Sequence, residues 1–127
     1  MSLSARTITS LQIVEDMDAA AEAFAALGFQ PVSTETECPC AGWQANNGST
    51  VVVMARQLIA QEFGDDIAAK IANRALSYVF VESVPDAIED LGSAARIIAQ
   101  TITTYGTMEA IVETGGGPMI IAERLED

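Results

Sequence analysis

Few residues of this 127-residue chain are suited to chemistry, because it contains no histidine. Without an imidazole there is no Ser-His-Asp or Cys-His nucleophile system, no histidine metal ligand and no ready proton shuttle near neutral pH. Acid–base chemistry would have to come from carboxylates, thiols, tyrosines or the lone lysine, Lys70. The candidates for a general base are Glu109 and Glu113, four residues apart on one face of a predicted strand.

The two cysteines lie in one short segment, Cys38-Pro39-Cys40. In an extended chain residues two apart point the same way, so both sulfur atoms could face one ligand or ion. Structural zinc takes about four Cys or His ligands, and the common redox motif separates its cysteines by two residues. We interpret the pair as buried or half-buried thiols, with a redox pair, a reactive thiol and a metal site as alternatives.

Composition predicts one acidic globular domain. Apolar residues make up 50% of the chain and charged residues 19%, which is typical of a folded domain with a real core. The net charge of −12 argues against partners that need clustered Lys and Arg, namely nucleic acid and anionic membranes, and favours neutral or cationic ligands. No apolar run approaches the roughly 20 residues of a membrane span, and none forms a signal peptide. We therefore expect a cytoplasmic protein.

The elements that must position these residues occur twice along the chain. In the first half a strand over 11–14 precedes a helix over 17–27, a strand over 29–37 and a hairpin centred on Asn46-Asn47-Gly48. In the second half a strand over 75–81 precedes a helix capped by Ser83 and strands over 96–105, 107–113 and 118–123. At an offset of 67 residues the identical pairs include Val14/Val81, Glu15/Glu82, Ala20/Ala87 and Glu22/Glu89.

The repeat predicts an α+β fold built from two β-α-β-β-β modules, because one module alone would leave a sheet face uncovered. We expect a single domain over residues 1–127. Module one covers about 7–56, a linker helix 57–73, and module two about 74–125. The linker is predicted as one broken helix or two short ones, with the break at Gly64-Asp65-Asp66.

This organisation resembles the vicinal-oxygen-chelate superfamily, which contains glyoxalases, bleomycin-resistance proteins and extradiol dioxygenases. The segment over 14–20, followed by Phe24 and Leu27-Gly28-Phe29, resembles the first strand-to-helix passage of the family. The segment over 81–87 resembles the second passage, and Tyr105-Gly106 with the strand over 108–112 resembles a later hairpin. The resemblance implies a curved mixed sheet with helices outside, a cup between the modules and pairing of two chains as a homodimer.

In catalytic relatives, four inward side chains, mostly His and Glu, hold a divalent metal. Carried over to this chain, the four positions fall at Thr9 or Ser10, Val52 or Val53, Leu76 and Ile121. Only Glu123, two residues beyond the last position and on the same side, is a credible ligand. The family's Asp-Pro-Asp-Gly-Asn turn is also replaced, by residues 113–118. The resemblance therefore implies the fold without a metal site, and we expect no cofactor.

Alternation on the strand over 75–81 separates Ser77, Val79 and Val81 from the side chains on its other face. The resemblance packs the valine face on a helix and turns the other face toward the cup. A Trp before the hairpin, a Tyr near a turn and an Ile on the last strand complete the predicted lining. The candidate ligand-binding residues are Trp43, Leu76, Tyr78, Phe80, Tyr105 and Ile121.

Together these features predict metal-independent binding of a small organic molecule. One form of this hypothesis is sequestration of a cationic compound, in the manner of a bleomycin-resistance protein. The first alternative is a glyoxalase-like lyase or dioxygenase-related enzyme with a non-standard active site. The second alternative is a protein without a ligand, whose sheet faces serve dimerisation.

Overall fold

The computed structural model describes residues 5–32, 40–72 and 74–125, so Cys38 and the end of the strand predicted over 29–37 lie outside the described residues. None of the helices in these ranges has the length and apolar character that crossing a membrane requires. The elements are β1 Ala5–Val14, α1 Met17–Ala26, β2 Gln30–Val32, β3 Cys40–Gln44, β4 Thr50–Ala55, α2 Arg56–Phe63, α3 Asp65–Ile71, β5 Ala75–Val81, α4 Val84–Leu91, β6 Ala95–Ile102, β7 Thr107–Thr114 and β8 Gly117–Arg124.

The strands form one mixed sheet in the order β2-β3-β4-β1-β5-β8-β7-β6. In each module the first strand pairs in parallel with the last, β1 with β4 and β5 with β8, and the modules join through the antiparallel pair β1–β5. The helices α1 and α4 begin 67 residues apart, and so do β3 and β7, and β4 and β8. The predicted α+β fold of two β-α-β-β-β modules is therefore confirmed.

Local chemistry explains where the helices begin and end. The side chain of Asp16 accepts a hydrogen bond from the Ala19 N–H at 3.0 Å, and that of Ser83 accepts one from the Asp86 N–H at 3.2 Å. Each satisfies a backbone donor that the first helical turn leaves unpaired. The linker forms two helices because Gly64 separates them with a φ of +100°, a conformation that L side chains rarely adopt.

The helices α1 and α4 cover the same face of the sheet, which we call the outer face. Under α4 lies a buried cluster that includes Val79 and Val81. The strand register carries this face from β5 across β1 and β4 to Trp43 on β3, so Trp43 also lies on the outer face. Trp43 stacks on Phe24 of α1, with the ring centroids 6.0 Å apart.

The linker helices α2 and α3 lie on the opposite face, the inner face. The helix α2 starts directly after β4 and reaches the β6–β7 turn, where Glu62 accepts hydrogen bonds from the Thr104 backbone N–H at 2.7 Å and hydroxyl at 2.9 Å. The helix α3 then leads back to the start of β5. The linker thus covers part of the predicted cup. The buried core between linker and sheet consists of Leu11, Ile13, Met54, Leu58, Ile59, Ala68, Ile71, Leu76, Ile111 and Ile120.

Candidate functional site

The centre of the candidate site is the carboxyl group of Glu109 on β7, whose side chain is fully buried. It accepts hydrogen bonds from the hydroxyl groups of Thr107, at 2.8 Å, and Tyr105, at 3.3 and 3.4 Å to its two oxygens. The Tyr78 hydroxyl also donates to it. We call these four residues, Tyr78, Tyr105, Thr107 and Glu109, the Glu109 cluster. These hydrogen bonds give the buried carboxyl group of Glu109 the partners that a buried polar group needs.

The fold brings the cluster together from two segments of the chain: β5, and the β6–β7 turn with the strand that follows it. Tyr78 lies on β5 and Glu109 on β7, with β8 between them. On β8 the residue opposite Glu109 is Ala122, whose single methyl group leaves space for the Tyr78 side chain to reach the carboxyl. Tyr105 comes from the β6–β7 turn. The hydroxyl of Thr107 forms a second hydrogen bond, 2.7 Å long, with that of Thr103.

Burial raises the pKa of the Glu109 carboxyl above its ordinary value, because a charged carboxylate loses its water shell inside the protein. The hydrogen bonds from Tyr78, Thr107 and Tyr105 act in the opposite direction, since they stabilise the ionised form. The negative charge of Glu62 raises the pKa further. Burial prevails, so the fold favours the protonated acid, which can donate a hydrogen bond to a neighbouring hydroxyl oxygen.

Phe80 extends the cluster along the inner face. Its ring meets that of Tyr78 edge to face, with centroids 5.2 Å apart and planes at 70°. The guanidinium carbon of Arg124 lies 5.7 Å from the centroid of the Phe80 ring, within the range of a cation–π interaction. Phe80 is half-buried and lies outside the core that the linker helices cover. Part of the inner face therefore presents an aromatic ring, hydroxyl groups and one cation.

Three residues that the sequence assigned to the cup or its metal position lie on the outer face instead. Trp43 stacks under α1, and Ile121 is buried in the cluster under α4. Glu123 accepts a hydrogen bond from the Val84 N–H at 2.8 Å, at the start of α4. The prediction that Trp43 and Ile121 line the same cup as Tyr78 is wrong, because alternation along β3 and β8 turns both side chains toward the helices. Leu76 does face inward but is buried beneath the linker.

Glu113 and Glu109 lie on the same face of β7, but their carboxyl groups have different partners. Four residues along a strand separate their backbones by about 13 Å. Glu113 lies at the opposite end of β7 and pairs with Arg96 at 2.9 Å. The two glutamates therefore do not form one acid–base site.

The residues at the carried-over ligand positions do not fit a divalent metal. Thr9 and Leu76 lie on the inner face, but the side chain of Leu76 is aliphatic and cannot bind a metal ion. Ile121 lies on the outer face. Within residues 5–32, 40–72 and 74–125, no three Cys, Asp or Glu side chains come together in a group that could hold a metal ion. Cys40, the cysteine that the structure describes, is half-buried against the inner core. The role of the two thiols stays a prediction.

Sequence reasoning missed Thr107, Glu62 and Arg124. The alternation of β7 offers a signal for Thr107, because it lies two residues before Glu109 and shares its strand face. No sequence signal identifies Glu62 or Arg124, since each meets its partner only after the linker and β8 have been placed.

The contact of Glu123 with α4 leads to a prediction about stability. Removal of its carboxylate in Glu123→Ala leaves the Val84 N–H without its acceptor, so we expect the free energy of unfolding to fall by about 1–2 kcal/mol. Urea denaturation measures the change. The matched control is Glu89→Ala on the exposed face of α4, which should stay within about 0.5 kcal/mol of the unsubstituted protein. Equal effects of the two substitutions would contradict the capping role.

Two solved structures resemble this one over nearly their whole length. A protein from Staphylococcus aureus superposes with a TM-score of 0.61 at 10% sequence identity, covering 96% of this chain and 99% of the other. A glyoxalase/bleomycin resistance protein/dioxygenase superfamily member from Vibrio splendidus 12B01 superposes with a TM-score of 0.56 at 12% identity, covering 94% and 99%. No protein-family model and no curated protein matches the sequence. The likeness shows the glyoxalase/bleomycin-resistance fold, as the sequence predicted.

Proposed function

We propose that this chain binds a small organic molecule, without a metal ion, where the inner face presents Phe80 beside the Glu109 cluster. The observation that carries the proposal is the fully buried carboxyl of Glu109, held by the hydroxyl groups of two half-buried tyrosines. Aromatic rings with a few fixed polar groups are the usual lining of a small-molecule site.

A purely structural role explains this cluster poorly. Burying a carboxyl group costs free energy, and the next inward position on β7 is occupied by an aliphatic residue, Ile111. An aliphatic side chain at position 109 would continue that core and need no hydroxyl partners. The carboxyl instead fixes the positions of three hydroxyl groups, which is how a protein orients the polar contacts of a binding site.

The charges around this surface favour a neutral or anionic ligand over a cationic one. Arg124 places its positive charge against Phe80, and the raised pKa of Glu109 opposes a negative charge on that carboxyl. The acidity of the chain as a whole suggested a cationic ligand, but a net charge acts through the general field of the protein. Groups in direct contact with the ligand weigh more in its selection.

The proposal predicts binding that depends on Phe80 and not on metal. The experiment is ligand-observed NMR with three fragment sets: neutral aromatic alcohols, aromatic carboxylates and aromatic amines, each with and without EDTA. We expect alcohols or carboxylates to bind, with no effect of EDTA, and Phe80→Ala to weaken them about tenfold through loss of ring contact. Tyr105→Phe, which removes only a hydroxyl group, should have a smaller effect.

The matched control is Trp43→Phe, which changes an aromatic residue of the outer face. It should leave fragment affinity unchanged. Equal binding to the Phe80→Ala variant, loss of binding in EDTA, or binding of the amines alone would each contradict the proposal.

A second candidate function, lyase or dioxygenase-related turnover with a non-standard active site, is favoured by the same carboxyl. Buried acids with a raised pKa are common among catalytic acids, and the hydroxyl groups of Tyr78 and Tyr105 could pass its proton to a bound molecule. The two functions differ in whether the ligand is converted. Mass spectrometry of the fragment recovered after incubation with the protein distinguishes them.

Two further expectations accompany this proposal. Pairing of two chains as a homodimer stays a prediction, which light scattering at micromolar concentration tests. A cytoplasmic location likewise stays a prediction, which fractionation of the source cells tests.

A further inference from the structure

An opening lies at the other end of the inner face from Phe80, between the end of α3 and the adjoining ends of β6 and β7. It has a volume of about 370 Å³, which lies in the lower part of the range for small-molecule pockets. We call it the basic cleft. Its walls include Lys70, Arg74, Arg96, Glu113, Ile98 and Pro118.

The cleft concentrates positive charge in a strongly acidic protein. The chain has six Lys and Arg residues against 18 Asp and Glu, yet three of the six line this one cleft. Arg96 is paired with Glu113 at 2.9 Å. Lys70 and Arg74 form no ion pair with any residue in the described ranges. In the part of the chain that the structure describes, two of the three cations of the cleft therefore have no ion-pair partner, although acidic side chains are plentiful elsewhere.

Lys70 and Arg74 are carried on anchored backbone. Lys70 belongs to the last turn of α3, and the next residue, Ile71, is fully buried in the inner core. The carbonyl oxygen of Arg74 accepts a hydrogen bond from the Ile13 N–H at 3.0 Å, which ties this segment to β1. Both side chains thus start from fixed points at the rim of the cleft, which lowers the entropy lost when they bind a ligand.

We propose that the basic cleft binds a small organic anion through a phosphate or carboxylate group. The Arg74 guanidinium can bind two oxygen atoms of such a group at once, and the Lys70 ammonium adds a point charge. An apolar part of the ligand would pack against Ile98 and Pro118. Glu113 competes with the ligand, because its carboxylate already occupies Arg96.

Isothermal titration calorimetry in low-salt buffer tests this proposal with three probes: inorganic phosphate, phenyl phosphate and benzoate. We expect one saturable site per chain for inorganic phosphate. Phenyl phosphate should bind this site more tightly than inorganic phosphate does, because only the former reaches the apolar wall. Comparison of phenyl phosphate with benzoate distinguishes phosphate from carboxylate as the preferred group. Arg74→Gln should weaken binding about tenfold and Lys70→Gln severalfold, through loss of charge-assisted hydrogen bonds.

The sharpest variant is Glu113→Gln, which removes the competing carboxylate and releases Arg96. It should strengthen binding severalfold. Glu113 and Arg96 are both well exposed, with 42% and 79% of their side chains accessible, so the change should leave the fold intact.

The matched control is Arg6→Gln, which removes the same charge from an exposed pair with Glu82 outside the cleft. Unchanged affinity in this variant supports a specific site. For inorganic phosphate, which has no apolar part to contact Phe80, the affinity should also be unchanged in Phe80→Ala. No saturable binding of any probe would overturn the proposal. Equal weakening by Arg6→Gln and Arg74→Gln, or weaker binding in Glu113→Gln, would overturn it as well.

Discussion

Ile59→Ala should lower the free energy of unfolding by about 2–5 kcal/mol, the range for removing a large aliphatic side chain from a packed core. Ile59 lies on α2 and is 1% exposed, within the core between the linker and the inner face. The truncation removes apolar contacts and leaves a cavity that helix and sheet can close only by moving. Urea denaturation followed by circular dichroism measures the loss.

The same substitution should act first on the linker. The helices α2 and α3 have eight and seven residues, too few to be stable in water without tertiary contacts. We therefore expect faster hydrogen exchange in both helices of the Ile59→Ala variant, while the β7–β8 pair stays protected. Such a result would show that the linker can leave the inner face before the sheet unfolds.

The control makes the same chemical change at an exposed position, and its loss of stability is compared with that of Ile59→Ala. Ile102→Ala removes the same atoms from a side chain that is 64% exposed on β6, so it should cost less than about 1 kcal/mol. Similar losses in the two variants would mean that Ile59 is not packed as the structure has it.

The fold could be predicted because its signals are local and repeated. The strand β5 spans Ala75–Val81, as alternation indicated, and Val79 faces α4 while Tyr78 faces inward. A period of two residues decides which side of a strand each residue takes, so no distant contact is needed for this assignment. The 67-residue repeat then placed the second module relative to the first.

The site was harder to predict because it depends on register and on the path of the linker. On β8 the inward residue is Ile120, whereas Ile121 packs under α4, so a shift of one residue turned the predicted lining outward. The environment of Glu109 comes from β5, β7 and the β6–β7 turn, and its fourth neighbour, Glu62, from α2. No pattern within one segment contains that combination.

The buried carboxyl leads to the second prediction, an increase in stability at neutral pH in Glu109→Gln. Folding raises the pKa of Glu109 from about 4.5, so between 4.5 and the higher pKa of the folded state the native protein binds more protons than the unfolded chain. The contribution of this group to stability is therefore complete below pH 4.5 and is lost as the pH rises through the folded pKa. Glutamine keeps the shape of the protonated acid and cannot ionise.

Urea denaturation between pH 4.5 and 8 gives the measurement. The difference in free energy of unfolding between Glu109→Gln and the unsubstituted protein should grow in favour of the variant as the pH rises, then level off. A tenfold change in proton affinity on folding corresponds to about 1.4 kcal/mol of this difference. Ile102→Ala, an exposed substitution that changes no titratable group, serves as the control and should give a difference that does not depend on pH.

The Tyr78→Phe variant tests whether the pH dependence of stability comes from the raised pKa of Glu109 or from a general effect of substitution in the core. The Tyr78 hydroxyl donates to the Glu109 carboxyl and lowers its pKa, in opposition to burial. Without this donor, ionisation inside the protein becomes more costly, so Tyr78→Phe should lose more stability than the unsubstituted protein as the pH rises. The double variant Tyr78→Phe/Glu109→Gln should lose that pH dependence again. A pH dependence that survives in the double variant would assign it to another group and remove Glu109 as its source.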